Sequence, residues 1–289
     1  MRYALFLGCT VPVRALNYEV SARKVADKLS IELVDINDFG CCGFPVKSVD
    51  RETFLLMAAK NLSLAEEKGL DILSLCSACT SVLTEANKKL KEDDNLRKRI
   101  NKQLSVLGRK YEGKIKVKHF ARVLYEDIGT DKIRKNLKVD LSGFKFAAHY
   151  GCHYLKPSEI YEGFDDPENP KTLDELIEVT GAESIFYEDK KGCCGGGILG
   201  IDELTALKVA KTKLDRVKSA KADAICLICP FCSIMYEGSQ KKIERQFETE
   251  YNLPVLYYPQ ILGLALGISP DQLGFKINRI KPRKILEKF

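Results

Sequence analysis

Short apolar runs recur along the chain, each ending in a glycine or cysteine turn and followed by a longer stretch with helical spacing. The runs predict strands over 2–7, 31–36, 71–75 and 115–119, and again over 144–149, 183–187, 223–228 and 253–258. Between them, 17–29, 50–68, 170–180 and 202–219 predict helices. Strands alternating with helices build βαβ units on a parallel sheet, so the expected class is α/β. The longest apolar runs, "YALFLG" and "ILGLALG", fall short of the ~20 residues of a membrane span. Residues 1–10 read as a core strand rather than as a leader peptide, which places the protein in the cytoplasm.

The series occurs twice, and cysteines mark the match. Cys9 is followed after 31 residues by Cys41 and Cys42, and after 33 more by Cys76 and Cys79. Cys152 is followed after 40 residues by Cys193 and Cys194, and after 34 more by Cys229 and Cys232. Flanking sequence agrees: "LDILSLCSACTSV" pairs with "ADAICLICPFCSI", and "IKVKHFARVLYEDIG" with "LPVLYYPQILGLALG". The chain therefore reads as a duplication, with domains expected at 1–140 and 141–289. Cys226 has no counterpart, since Leu73 stands in its place, and reads as a structural thiol in a strand. The insertion 88–113 reads as a solvated charged helix, and the basic 276–289 as a tail or docking segment.

Every cysteine group falls where a strand ends and the next helix begins. In open parallel sheets ligands bind beside these carboxyl ends. Neighbouring residues of a strand point to opposite faces, so Cys41 and Cys42 converge only if the backbone bends, as their flanking glycines allow. Five thiols thus gather at the edge of each sheet.

Composition narrows what they hold. The 289 residues include eleven cysteines, 45% hydrophobic and 30% charged residues, and a net charge of +6. In a chain without a secretory leader this cysteine density points to metal or redox chemistry, not disulfides. The mild charge suits an anionic ligand or acidic partner, and no basic stripe interleaved with aromatics supports nucleic-acid binding. Cys-x-x-Cys at a helix start favours thiolates, which select zinc or iron–sulfur clusters. Structural zinc and ordinary cubane clusters take four ligands each, and five is one too many for either. The count suggests an expanded or irregular cluster, with zinc in one half kept as an alternative.

The order Cys, Cys-Cys-Gly, Cys-x-x-Cys, present twice, resembles the B subunits of heterodisulfide reductase, a family of CCG-domain proteins, over essentially the whole chain. "GCHYLKPSE" at 151–159 is similar to that family's second repeat, while the gaps before Cys-x-x-Cys are slightly shorter than its usual spacing. The resemblance implies two pseudo-two-fold-related CCG domains, each a small parallel sheet flanked by helices. It implies two non-cubane [4Fe-4S] clusters, one per domain, on Cys9, Cys41, Cys42, Cys76 and Cys79 and on Cys152, Cys193, Cys194, Cys229 and Cys232. It implies reductive cleavage of the coenzyme M–coenzyme B disulfide between the clusters. Electrons would come from a ferredoxin-like [4Fe-4S] subunit, itself fed by a flavin-containing one. Related modules serve in electron transfer within lactate, glycolate, glycerol-phosphate and succinate or fumarate oxidoreductases, which is the rival reading.

Disulfide cleavage consumes protons and this disulfide carries a sulfonate, a phosphate and a carboxylate. His153, beside Cys152, is the expected proton donor, or a hydrogen-bond donor to cluster sulfur; Tyr154 is a second candidate at the substrate. Arg14, Lys47 and Lys156 follow cysteine loops and are expected to hold the anionic groups. His119 and His149 read as satisfied core residues. No G-x-G-x-x-G follows the first strand, which excludes a dinucleotide fingerprint.

Overall fold

The computed structural model describes residues 1–289. Two four-stranded sheets form, each wholly parallel. In the first, β1 (Arg2–Phe6), β2 (Glu32–Asp35), β3 (Ile72–Ser74) and β4 (Val117–His119) lie in the order β2-β1-β3-β4. In the second, β5 (Lys145–His149), β6 (Glu183–Ser184), β7 (Ala224–Leu227) and β8 (Val255–Tyr257) repeat it as β6-β5-β7-β8. The registers correspond: Phe6 lies beside Ser74 and Ser74 beside His119, as His149 lies beside Leu227 and Leu227 beside Tyr257. Strand β6 is shorter than the apolar run 183–187 suggests. Tyr187 turns inward instead, and its hydroxyl donates to the Ala148 carbonyl at 2.8 Å.

Period-two alternation buries both faces of β1 and β3 at the centre of the first sheet, while the edge strand β2 stays half-exposed. Ala4, Phe6 and Ile72 pack with Phe54, Ala58, Leu62, Val82 and Leu83 of the helices Arg51–Glu67 and Ser77–Glu92. Tyr3, Leu5 and Leu73 belong to a larger core that takes in most of the second repeat. The division at 140/141 falls between β4 and β5, yet this core runs across it. The helix Tyr258–Ala265, after β8, packs on Leu16–Lys28 of the first repeat. Conversely Tyr125, after β4, donates its hydroxyl to Glu175 of the second repeat at 2.7 Å. Each repeat thus lends the other its last segment.

Two expectations change. The insertion is not one solvated helix: Ser77–Glu92 runs into it, Asp93 caps Asp94–Leu104 by accepting from the Leu96 N–H at 2.9 Å, and Ile100 and Leu104 are fully buried. The basic C-terminal segment is no loose tail. Ile280 and Ile285 are buried, and Lys284 pairs with Asp223 at 2.5 Å.

Candidate functional site

The ends of β1, β3, β5 and β7 face one another across the repeat boundary. Cys76 is the N-cap of the helix Ser77–Glu92, and Cys229 caps Pro230–Ser233, so both Cys-x-x-Cys motifs start helices. Cys152 opens the short helix Cys152–Leu155 after Gly151, whose φ of 73° suits glycine. At Gly8, φ 66°, a Cβ would lie 2.9 Å from the Cys79 sulfur, so only glycine lets the first loop approach.

Electrostatic coupling links nine sulfurs in order: Cys41, Cys42, Cys79, Cys76, then Cys229, Cys232, Cys194, Cys193 and Cys152. The two quintets meet at Cys76 and Cys229. Cys9 stands beyond the first end, exposed, its sulfur 3.8 Å from the Thr10 hydroxyl and within electrostatic reach of Cys41. No three His, Cys, Asp or Glu donors surround a common point. The thiols are strung side by side rather than grouped around one ion.

The line carries its own charge pattern. Hydrogen bonds from Cys41 and Cys79 bring the Cys42 thiol down to about 4. Those from Cys152 and Cys194 bring Cys193 to about 2, and those from Cys232 and Cys76 lower Cys229. Backbone amides assist: Gly43 N–H donates to Cys41 at 3.5 Å, Gly195 to Cys193 at 3.3 Å and Gly196 to Cys194 at 3.4 Å. A soft, partly ionised set of this kind fits iron–sulfur chemistry. Cys226, by contrast, is fully buried in β7, and burial raises its thiol.

Beside the sulfurs a pocket of about 710 Å³ opens between the repeats. The first repeat contributes Phe44, Lys47, Arg51, Glu85 and Lys89, and the second His153, Gly196, Gly197 and Phe231. Lys47 pairs with Glu85, and Lys89 binds the other Glu85 oxygen at 2.7 Å. Burial raises the Glu85 carboxyl, but the two ammonium groups outweigh it and hold it below the ordinary glutamate range. His153 meets Phe44 edge-on at 5.0 Å between centroids, and burial lowers its imidazole.

The other expected residues lie elsewhere. Arg14 lines a separate cavity of about 180 Å³ with Ser233, Glu237 and Arg279. Lys156 is tied to Glu168 at 2.9 Å, outside the pocket. Tyr154 is 3% exposed, its hydroxyl 3.5 Å from Thr172 Oγ1 and its ring against His119, so it has no access to a ligand in the pocket. Arg51 and Lys89 were not singled out from sequence. Their signal was available, since Arg51 opens the helix after the first Cys-Cys turn and Lys89 lies ten residues past Cys79 on the helix that Cys76 begins.

His119 is satisfied: Nδ1 accepts from the Ala121 N–H at 3.1 Å, leaving Nε2–H to donate to the Ile228 carbonyl at 3.0 Å. His149 is not. Its Nε2 lies 3.2 Å from the Cys232 sulfur, and its buried Nδ1 has no partner.

Comparison with known proteins now adds relationship to geometry. The cysteine-rich domain family matches residues 3–84 and 146–237. The chain is 38% identical, over 99% of its length and 96% of the relative's, to the B subunit of the ferredoxin/F420H2-dependent CoB–CoM heterodisulfide reductase of Methanosarcina acetivorans. It is 30% identical, over 98% of both chains, to the 8-methylmenaquinol:fumarate reductase membrane anchor subunit of Wolinella succinogenes. No helix here is long and apolar enough to cross a membrane. In fold the chain is similar to a hypothetical protein of Helicobacter pylori known from its crystal structure. The TM-score is 0.79 at 17% identity, and the match covers 97% of this chain and 52% of that one.

Proposed function

This chain belongs to the cysteine-rich family typified by the B subunits of heterodisulfide reductase, and from that membership we propose that it is the disulfide-cleaving component of an iron–sulfur oxidoreductase complex. The substrate proposed is the coenzyme M–coenzyme B disulfide, cleaved to two thiols with two electrons and two protons. The observation that carries the reading is the line of nine cysteine sulfurs along the repeat boundary beside a cationic pocket. The residues proposed to hold two non-cubane [4Fe-4S] clusters are Cys9, Cys41, Cys42, Cys76 and Cys79, and Cys152, Cys193, Cys194, Cys229 and Cys232. Bound there, such clusters supply electrons one at a time.

The remaining work falls to the pocket. Its volume lies within the range of small-molecule sites, ~300–1,000 Å³. Lys47, Arg51 and Lys89 against the single carboxylate of Glu85 leave an excess of positive charge for anionic arms. Phe44 and Phe231, 6.3 Å apart, line it with apolar surface for a hydrocarbon chain. His153 is the only histidine on the wall and is the proposed carrier of a proton to a departing thiolate. Electrons are proposed to arrive from a ferredoxin-like [4Fe-4S] subunit fed by a flavin-containing one.

The Wolinella relative, a subunit of a fumarate reductase, favours a second reading, a subunit of another oxidoreductase; in that reading the chain relays electrons and one repeat holds zinc. Anaerobic iron and zinc determination, followed by a disulfide-reduction assay with a chemical electron donor, separates the two. About eight irons per chain, as two four-iron clusters hold, with cleavage of the disulfide is the expected result. About four irons with one zinc and no cleavage would establish the relay.

A further inference from the structure

The two repeats are not electrically equivalent around their thiols. His149 ends β5 beside Leu227, as Phe6 ends β1 beside Ser74, so Phe6 holds the equivalent place in the first repeat. Phe6 is fully buried, edge-on to Phe39 at 5.0 Å. Its ring and the Cys79 sulfur both lie within 4 Å of the point a Gly8 Cβ would occupy. Phe6 therefore stands by Cys79 as His149 stands by Cys232, but a phenyl ring donates nothing. His149 is 1% exposed, with Nε2 at 3.2 Å from the Cys232 sulfur.

A second difference points the same way. The helices Arg51–Glu67 and Glu203–Ser219 are both 17 residues long and are capped by Asp50 and Asp202, which aligns Asn61 with Lys213. Asn61 is neutral and bonded to the backbone, its amide donating to the Cys41 carbonyl at 3.0 Å and its oxygen accepting from Gly40 N–H at 2.9 Å. Lys213 is 1% exposed and its ammonium meets the Asp189 carbonyl, not a carboxylate. It lies 5.2 Å from the Tyr187 ring centroid and within electrostatic reach of Cys232 and Cys194. A buried cation demands negative charge nearby, and it is supplied by the Asp189 carboxylate, itself paired with Arg216 at 2.8 Å, and by those sulfurs.

We propose that His149 and Lys213 make the second thiol site the better holder of negative charge, so that the redox group bound there has the higher reduction potential and is the electron sink of the pair. Hydrogen bonds and positive charge at cluster sulfurs are what raise such potentials. Both are positioning residues, and the inference rests on the reading that each quintet holds an iron–sulfur group.

The test is a potentiometric titration of the anaerobically purified, iron-loaded protein, followed by electron paramagnetic resonance, with iron measured for each variant. The native chain should show two separate reduction steps. His149→Phe should lower the higher step by about tenfold in its equilibrium constant, ~59 mV for one electron, and leave the lower step in place. His149→Gln, which keeps a donor, should restore most of the shift. Lys213→Asn should lower the higher step and Phe6→His should raise the lower one. Should His149→Phe lose iron, Lys213→Asn and Phe6→His decide. Full iron with coincident native steps, or with steps that these substitutions leave unmoved, overturns the inference and leaves the cluster assignment standing. A native chain without iron overturns both.

Discussion

Tyr18 of the first repeat lies flat against Tyr257 of the second, ring centroids 4.1 Å apart and planes 9° from parallel. Its hydroxyl continues past the stack to donate to the Ile228 carbonyl at 3.2 Å. That carbonyl also accepts the His119 Nε2–H. Two side chains of the first repeat thus fix the peptide that leads into Cys229.

The Tyr18 contact separates packing from hydrogen bonding. Tyr18→Phe should cost about 1 kcal/mol, the net value of one buried hydrogen bond. Tyr18→Ala should cost ~3–5 kcal/mol, as for other large aromatic deletions. Denaturant unfolding followed by circular dichroism measures both; equal losses would mean that the hydroxyl dominates.

His119 gives stability a pH dependence. Burial holds its imidazole down to about 4 in the folded chain, against an ordinary 6.5. Folding therefore keeps it neutral, and its full contribution is present above pH 6.5. As pH falls from there towards 4 the unfolded chain takes up the proton first, and stability declines by up to ~1.4 kcal/mol per pH unit. His119→Gln should flatten that part of the profile of unfolding free energy against pH. An unchanged slope would assign it to other groups.

Cysteine substitutions should sort by place. Cys42→Ser and Cys193→Ser each remove a thiol that its neighbours hold well below the ordinary range and should each halve the bound iron, from about eight to about four atoms. Cys226→Ser, in the closed interior of β7, should leave iron content intact and instead cost about 1–3 kcal/mol for a buried hydroxyl. Gly8→Ala should act like a ligand loss, because the added methyl would press on Cys79. Iron analysis of the anaerobic proteins checks all four.

Glu85 sets the charge of the pocket. Glu85→Gln frees Lys47 and Lys89 from their carboxylate and should lower KM for a polyanionic disulfide while leaving that for an uncharged one unchanged. Lys47→Ala should raise the first KM about tenfold, the ~1.4 kcal/mol of one charge-assisted hydrogen bond. Since Glu85 is held below its ordinary range, the stabilising pairs are present at neutral pH and are lost as acid protonates the carboxylate. Parallel changes for charged and uncharged substrates would remove the pocket from substrate recognition.

Much of this arrangement is visible in the chain before it folds. Strand periodicity and the repeated cysteine spacing place all eight strands and show where the thiol loops leave the sheets. Side-chain direction is another matter. Arg14, Lys47 and Lys156 follow cysteine loops alike, yet one faces a separate cavity, one the pocket and one Glu168, because the turn after each loop sets the outcome. The insertion carried its own clue, since Leu96, Ile100 and Leu104 recur at a helical interval within the charged run. His149 looked like core because a strand position tells nothing of the sulfur approaching it from another loop. The exchange of final segments between repeats depends on packing alone, with no local signal.

That exchange carries a consequence for biogenesis. The first quintet is synthesised long before the second, but its neighbours Tyr18 and His119 are anchored on Ile228, and Leu16–Lys28 is covered by Tyr258–Ala265. The early half leaves the ribosome with its flank uncovered and stays so until the last helix emerges. Loading of iron on the proposed ligands should therefore wait for the entire polypeptide, and a truncated product should reach the cell as an empty, protease-sensitive intermediate.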